Sequence, residues 1–335
     1  MRRLTDFLAA LCLTVPVVTA PAIAADAPRP QPIIDMHVHI LGIAPDGLPD
    51  WYNPMPADPF TGKPTRKFAS EDEFMRFIFD ELKRNHVVKA MVSNNAYHTA
   101  RARKAYPNMV IPGVAIGGPP EPGVKLRDEI TFNPSVDALR KQIQAGEVQV
   151  IGEVFPEYYG ARLTDPYIEP YYALAEEMDV PIGVHTGLAS APAEIEGAGL
   201  RTKYRGDFGN PAGLEEVLNR HPKLRIYLMH AGHPYFAETY ALLQSYPNVY
   251  VDIAYIAYLL PAKEFHRYLR QLVEAIPGVD KRIMFGTDTY IWTQGIKATI
   301  DRINAADYLT AQQKADIFCN NAQRFLRLDP KTCKR

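Results

Sequence analysis

Eight short apolar runs punctuate this chain, each separated from the next by a longer stretch of mixed composition. They lie at residues 33–39, 87–93, 110–116, 148–154, 182–185, 224–230, 249–253 and 283–285. Most are nearly unbroken in Val, Ile, Leu, Met or Ala, without the apolar–polar alternation of a strand that has one wet face. Such strands are buried on both faces, as in a parallel sheet whose crossover helices cover its outside. Between the runs, residues 71–85 place Phe74, Phe77, Ile78 and Leu82 on one helical stripe, and residues 167–178 do the same with Ile168, Tyr171, Tyr172, Ala175 and Met178. Further helices are expected at 135–145, 211–220, 235–245 and 262–275, and two more, 294–305 and 310–327, close the chain. Strands alternating with helices in this number predict an α/β fold, a closed (β/α)₈ TIM barrel. An open doubly wound sheet is the rival, but no G-x-G-x-x-G follows the first run and no P-loop occurs, so its usual phosphate signals are missing.

The N-terminus reads as an export signal over residues 1–24. Arg2 and Arg3 precede a largely apolar run at 7–19, and Ala22-Ile23-Ala24 offers a small-x-small cleavage site. The run is shorter than the roughly 20 residues a membrane span needs, and Pro16 and Pro21 suit a cleaved segment better than a spanning helix. An uncleaved anchor is the alternative. Cleavage after Ala24 would leave one barrel domain at 25–335, periplasmic or secreted and without a membrane attachment. It would also leave only Cys319 and Cys333, which could pair in an oxidising compartment but cannot form a disulfide framework. The fold must then rest on its core. With 37 basic against 38 acidic residues and no long block of one sign, a nucleic-acid partner is not expected. The 19 Tyr and 14 Phe leave room for a homo-oligomeric surface without locating one.

In a barrel the active site forms where side chains converge at the C-terminal strand ends. Those ends are polar here. The first run ends in Asp35-Met36-His37-Val38-His39, the fourth near Glu153, the fifth at His185, the sixth at His230 and the eighth at Asp288. On a strand, residues two apart share a face, so His37 and His39 lie side by side. Two imidazoles, a third from His185 and the Asp288 carboxylate make a borderline N/O donor set suited to Zn²⁺, with Mn²⁺ also possible. One such histidine is commonly a satisfied core residue. Three at strand ends beside a carboxylate are not. Asp288 could also act as the base that takes a proton from metal-bound water, or merely cap the following helix. His230 could polarise a substrate carbonyl or move a proton to a leaving group. His233, three residues on, could touch substrate or bond its own loop.

The motifs Asp35-Met36-His37-Val38-His39, Val184-His185-Thr186, Leu228-Met229-His230-Ala231-Gly232-His233 and Phe285-Gly286-Thr287-Asp288 resemble, in this order, those of the amidohydrolase superfamily. More narrowly they look like its amidohydrolase family 2 branch. The resemblance spans nearly the whole mature chain. It implies a (β/α)₈ barrel, metal positions at His37, His39, His185 and Asp288, and a catalytic His230 beside the metal. It also implies that Glu153, where two-metal relatives more familiarly carry a carboxylated Lys, could bridge two ions or only hydrogen-bond a ligand or the substrate; with a second ion His230 would become a ligand. One essential ion is the favoured expectation. The branch holds hydrolases and also nonoxidative decarboxylases and hydratases, so fold carries over better than reaction.

The leading expectation is hydrolysis of an amide, lactone or ester of a small molecule by metal-activated water. Decarboxylation of an aromatic or unsaturated acid on the same site is the alternative, and a non-catalytic exported ligand-binding barrel is the reading from another class. The loops at 41–69 and 187–210 are longer than the usual 2–6 residues and leave the active-site end. Their Trp51, Arg201 and Arg205 are candidate substrate contacts, an arginine there being able to grip a carboxylate. Trp292 could wall the pocket or pack under its loop.

Overall fold

The computed structural model describes residues 30–43, 45–48, 58, 60–118, 133–187 and 203–334. The export-signal expectation at 1–24, Trp51 and Arg201 lie outside them. Eight parallel strands follow one another around the sheet in chain order: β1 (Ile33–His39), β2 (Val87–Ser93), β3 (Val110–Ile116), β4 (Val150–Val154), β5 (Ile182–Val184), β6 (Ile226–Leu228), β7 (Val249–Asp252) and β8 (Ile283–Met284). The seam between the last strand and the first is bridged just beyond β8. Met36 N–H donates to Phe285 O at 2.9 Å, Asp288 N–H to His37 O at 2.7 Å and His39 N–H to Thr289 O at 2.8 Å. The sheet is thus a nearly closed TIM barrel.

The crossovers carry α1 (Glu71–Arg84), α2 (Ala96–Ala105), α3 (Val136–Gln144), α4 (Glu169–Glu177), α5 (Leu214–Arg220), α6 (Phe236–Ser245) and α7 (Ala262–Ala275), and α8 (Gln294–Asn304) follows β8. Helix α1 shows why these segments coil. Ser70 accepts from the Glu73 N–H as N-cap, three acids fill the first turn, and Lys83 and Arg84 fill the last. Its stripe of Phe74, Met75, Ile78, Phe79 and Leu82 is buried. The sequence gives no comparable stripe for α2, whose buried residues are His98, Thr99 and Ala102. Packing against the sheet makes that helix, and periodicity does not announce it.

Two cores result. Val38, Val92, Val114, Val154, Val184, Leu228 and Val251 face outward against helix residues such as Phe74, Leu174 and Phe265. Ile34, Met36, Met91, Ile111, Val150, Tyr227, Met229 and Met284 fill the barrel's inside. Gly183 is needed there: a Cβ on it would run into the ring of Tyr227. The expected final helix, 310–327, forms as α9 (Ala311–Ala315), a π-helical turn at Asp316–Asn320 and α10 (Asn321–Leu326). It lays Cys319, Ala322 and Phe325 against the inner core, and the Phe325 carbonyl accepts from Arg225 ahead of β6. This closes the N-terminal mouth of the barrel. Cys319 and Cys333 form a disulfide, with Cα atoms 5.8 Å apart.

Strand β1 contains an irregularity that positions the site. Asp35 pairs with Ala90 while Val38 pairs with Val92, so β1 carries one residue more than β2 over this span. The bulge lets Met36 enter the inner core while His37, its neighbour, also turns inward at the top.

Candidate metal centre

At the C-terminal end of the barrel, four imidazoles and two carboxylates meet. His37 and His39 come from β1, with Nε2 atoms 3.1 Å apart. Glu153 comes from β4, and His185 follows β5 directly. The other two lie further past their strands than the sequence suggests. β6 stops at Leu228, and His230 sits in a 3₁₀ turn, Met229–Gly232, with φ of 61°. Asp288 lies four residues past the end of β8, with φ of 54°. A left-handed conformation is costly for residues with a Cβ, and such strain gathers at functional sites.

Glu153 stands between two pairs of rings. Its Oε2 lies 3.6 Å from His37 Nε2 and 3.5 Å from His39 Nε2. Its Oε1 lies 3.9 Å from His185 Nε2 and 3.7 Å from His230 Nε2. Asp288 Oδ1 adds to the first pair, at 3.5 Å from His37 and 3.2 Å from His39. Among the described residues these groups form three sets whose donor atoms all lie within 4.8 Å of one another.

The far side of each ring fixes its tautomer. His39 Nδ1 is 3.0 Å from Ser93 O, and His230 Nδ1 is 3.1 Å from Ala254 O. A carbonyl only accepts, so both rings donate there and turn a bare Nε2 towards the centre. His37 Nδ1 lies 3.2 Å from Asp252 Oδ2, and His185 Nδ1 pairs with the Glu157 carboxylate. Those rings take the same tautomer. Six lone-pair groups then converge without a donor among them, an arrangement that calls for a cation or for protons.

The titration behaviour agrees. Burial alone would lower His37, but Asp288, Asp252 and Glu153 carry it well above its ordinary value. Burial likewise works against His185, yet Glu157, Glu153 and Asp288 raise it to about 9. Burial would raise Glu153 and Asp288, but the surrounding imidazoles hold both carboxyls down. Without a metal the cluster holds protons where a cation fits. Nitrogen and carboxylate donors in this number suit Zn²⁺ or Mn²⁺.

Asp35 is buried and joins the seam rather than the cluster. It accepts from His37 N–H at 3.1 Å, Thr287 N–H at 3.0 Å and the Thr287 hydroxyl at 2.6 Å, and burial pushes its carboxyl up to about 7. His233 packs its ring against Tyr268, 5.2 Å between centroids, and is not among the groups brought together. Arg205 is exposed, with its guanidinium donating to the carbonyls of Lys203 and Tyr204. Trp292 is buried beside Tyr290, whose ring lies 6.4 Å from that of His39. Tyr158 and Tyr255 stand over His185 and His230, at 5.2 and 6.0 Å. Sequence reasoning missed Asp252 and Glu157. A signal existed for Asp252, a lone charge in an otherwise apolar run; Glu157, in the turn after β4, had none.

Fold and site together define a TIM-barrel protein with a metal-site-like cluster of His, Asp and Glu at its C-terminal strand ends. More narrowly, the chain belongs to the amidohydrolase family, whose model matches residues 34–328. Among curated proteins, protein fluG of Emericella nidulans is 25% identical over 164 residues, covering 44% of this chain and only 18% of that protein. Among solved structures, an uncharacterised TIM-barrel protein of Bordetella bronchiseptica has a TM-score of 0.62 at 19% identity, covering 88% of this chain and 98% of its own. A probable 2-pyrone-4,6-dicarboxylic acid hydrolase of Acinetobacter baumannii has 0.56 at 12%, covering 88% and 99%. A manganese-bound 5-carboxyvanillate decarboxylase of Novosphingobium aromaticivorans has 0.56 at 16%, covering 89% and 96%. At these identities the likeness is one of fold. The neighbours include both hydrolases and decarboxylases.

Proposed function

We propose that the chain is an exported metal-dependent hydrolase that cleaves an amide, lactone or ester of a small molecule, with room for two divalent ions. The observation that carries this reading is Glu153, which turns one oxygen to the His37–His39 pair and the other to the His185–His230 pair. That is the placement of a bridging carboxylate, and it moves the balance from the single ion expected on sequence towards two. In this reading His37, His39 and Asp288 would hold the first ion and His185 and His230 the second, with Zn²⁺ favoured and Mn²⁺ the alternative.

A bound ion of this kind supplies Lewis acidity and makes water a nucleophile near neutral pH. The residues supply the rest. Asp288, whose carboxyl the imidazoles hold low in the metal-free cluster, would take up the proton that hydrolysis releases and return it to the leaving group. Asp35 and Thr287 hold the backbone that carries Asp288. The N-terminal signal pattern and the Cys319–Cys333 disulfide support export to an oxidising compartment, with a mature barrel domain from Ala25.

The test is metal analysis of the mature protein, followed by a screen of lactones, amides, esters and carboxylated aromatics. Two equivalents of ion are expected, falling in His37→Ala and Glu153→Gln, with hydrolysis reduced about 10²–10⁴-fold in Asp288→Asn. Release of CO₂ without hydrolysis would move the assignment to decarboxylation. Full metal loading without turnover of any substrate would favour a binding barrel. A chain that takes up no ion would overturn the proposal.

A further inference from the structure

Each pair of rings is backed in the same mixed way. In the first pair, Asp252 stands behind His37 and the Ser93 carbonyl behind His39. In the second, Glu157 stands behind His185 and the Ala254 carbonyl behind His230. A carboxylate behind an imidazole does more than orient it. It draws the Nδ1 proton and makes the far nitrogen a stronger donor to a cation, which a neutral carbonyl does less well.

Glu157 fits no purely structural role. Its side chain is fully buried, and a buried carboxylate is costly unless a partner compensates it. Among the described residues its ion-pair partner is His185. The turn it occupies, Pro156–Tyr159, is held by main-chain bonds that do not use the carboxylate. Gly160 N–H donates to the Glu157 carbonyl at 3.2 Å, and Arg205 N–H donates to it at 3.0 Å. Among the described residues the carboxylate therefore has one employment, on the far side of a ring whose Nε2 faces Glu153.

We infer that Glu157 is a positioning residue that sets the metal affinity of the His185–His230 pair separately from that of the His37–His39 pair. The inference rests on the two-ion reading above and goes beyond it by assigning control of one subsite to one buried side chain. A Leu at 157 removes the acceptor at similar volume. A Gln keeps an oxygen that can accept from His185 Nδ1 and loses only the charge, so it is the conservative variant.

The experiment is a calorimetric titration of the metal-free mature protein with Mn²⁺, and separately with Zn²⁺, for wild type, Glu157→Leu and Glu157→Gln. Wild type is expected to show two binding steps. Glu157→Leu should weaken one step about 10–100-fold and leave the other unchanged, and Glu157→Gln should recover part of the loss. In the Mn²⁺-loaded variant, the electron paramagnetic resonance signal should change from that of a coupled pair to that of an isolated ion. A wild type with two steps, matched by both variants, would overturn this inference and leave the two-ion reading standing. A wild type with fewer than two steps would overturn both. If Glu157→Leu does not fold, the Gln variant alone decides, through a smaller loss confined to one step or no loss at all.

Discussion

Asp252 touches both halves of the site. Its Oδ2 lies 3.2 Å from His37 Nδ1, and its Oδ1 accepts from the N–H groups of His230 at 2.9 Å and Ala254 at 3.0 Å. Asparagine has the same shape but one donating end. If that end faces His37, the ring must accept at Nδ1 and its proton moves to Nε2, where a cation needs the lone pair. If it faces His230, two donors meet. Either orientation harms the site, so Asp252→Asn is expected to weaken metal binding about 10–100-fold while the barrel stays folded. Competition against a chelating dye measures this, and unchanged affinity would show that His37 is oriented by something else. The same contrast explains what could be read from sequence at this scale. Residues that face the centre, such as His37, His39, His185 and Asp288, stand out because barrel interiors are otherwise apolar. Of those behind them, Asp252 interrupts an apolar run and was legible, whereas Glu157 was not, because it lies in a turn whose path depends on β4 and its surroundings.

The elements divide in the same way. β1, β2 and β3 keep the bounds their apolar runs imply, since a run buried on both faces has no cheaper place to be. β6 was expected over 224–230 and spans only Ile226–Leu228, because the chain turns into the left-handed residues that aim His230 inward. Apolarity shows which segment is buried, not where its backbone leaves the ladder. The C-terminal run shows what a helix can do beyond covering a sheet. Phe325 is 4% exposed and packs its ring 4.6 Å from Tyr250 and 5.6 Å from Tyr227. Phe325→Ala removes that packing at the closed mouth, and a cost of about 3–5 kcal/mol is expected in urea unfolding. Metal affinity of the folded fraction should hardly change, since the cluster lies at the other end. A large loss of affinity together with stability would mean that the two ends of the barrel are coupled.

For the molecule as a whole, the cluster joins segments that are far apart in the chain. Its donors come from β1, β4 and the segments after β5, β6 and β8, so a bound ion ties together five strand ends at once. Metal binding should therefore appear as global stability, about 2.7 kcal/mol when free ion is at 100 times its Kd. The dependence on pH follows from His185. Its folded value of about 9 stands above the ordinary 6.5, so in the metal-free protein its contribution is complete below about pH 6.5 and is lost as pH rises through 9. His37 is raised as well and adds in the same direction. An ion must displace these protons, so its binding tightens over the same interval. The melting temperature of the metal-free protein should fall between pH 6.5 and pH 9, while the gain on adding Zn²⁺ or Mn²⁺ widens. Thermal unfolding with chelator and with excess metal at several pH values in that window checks both trends. A gain that stays constant with pH would mean that the ion displaces no protons, and that the cluster is not where it binds.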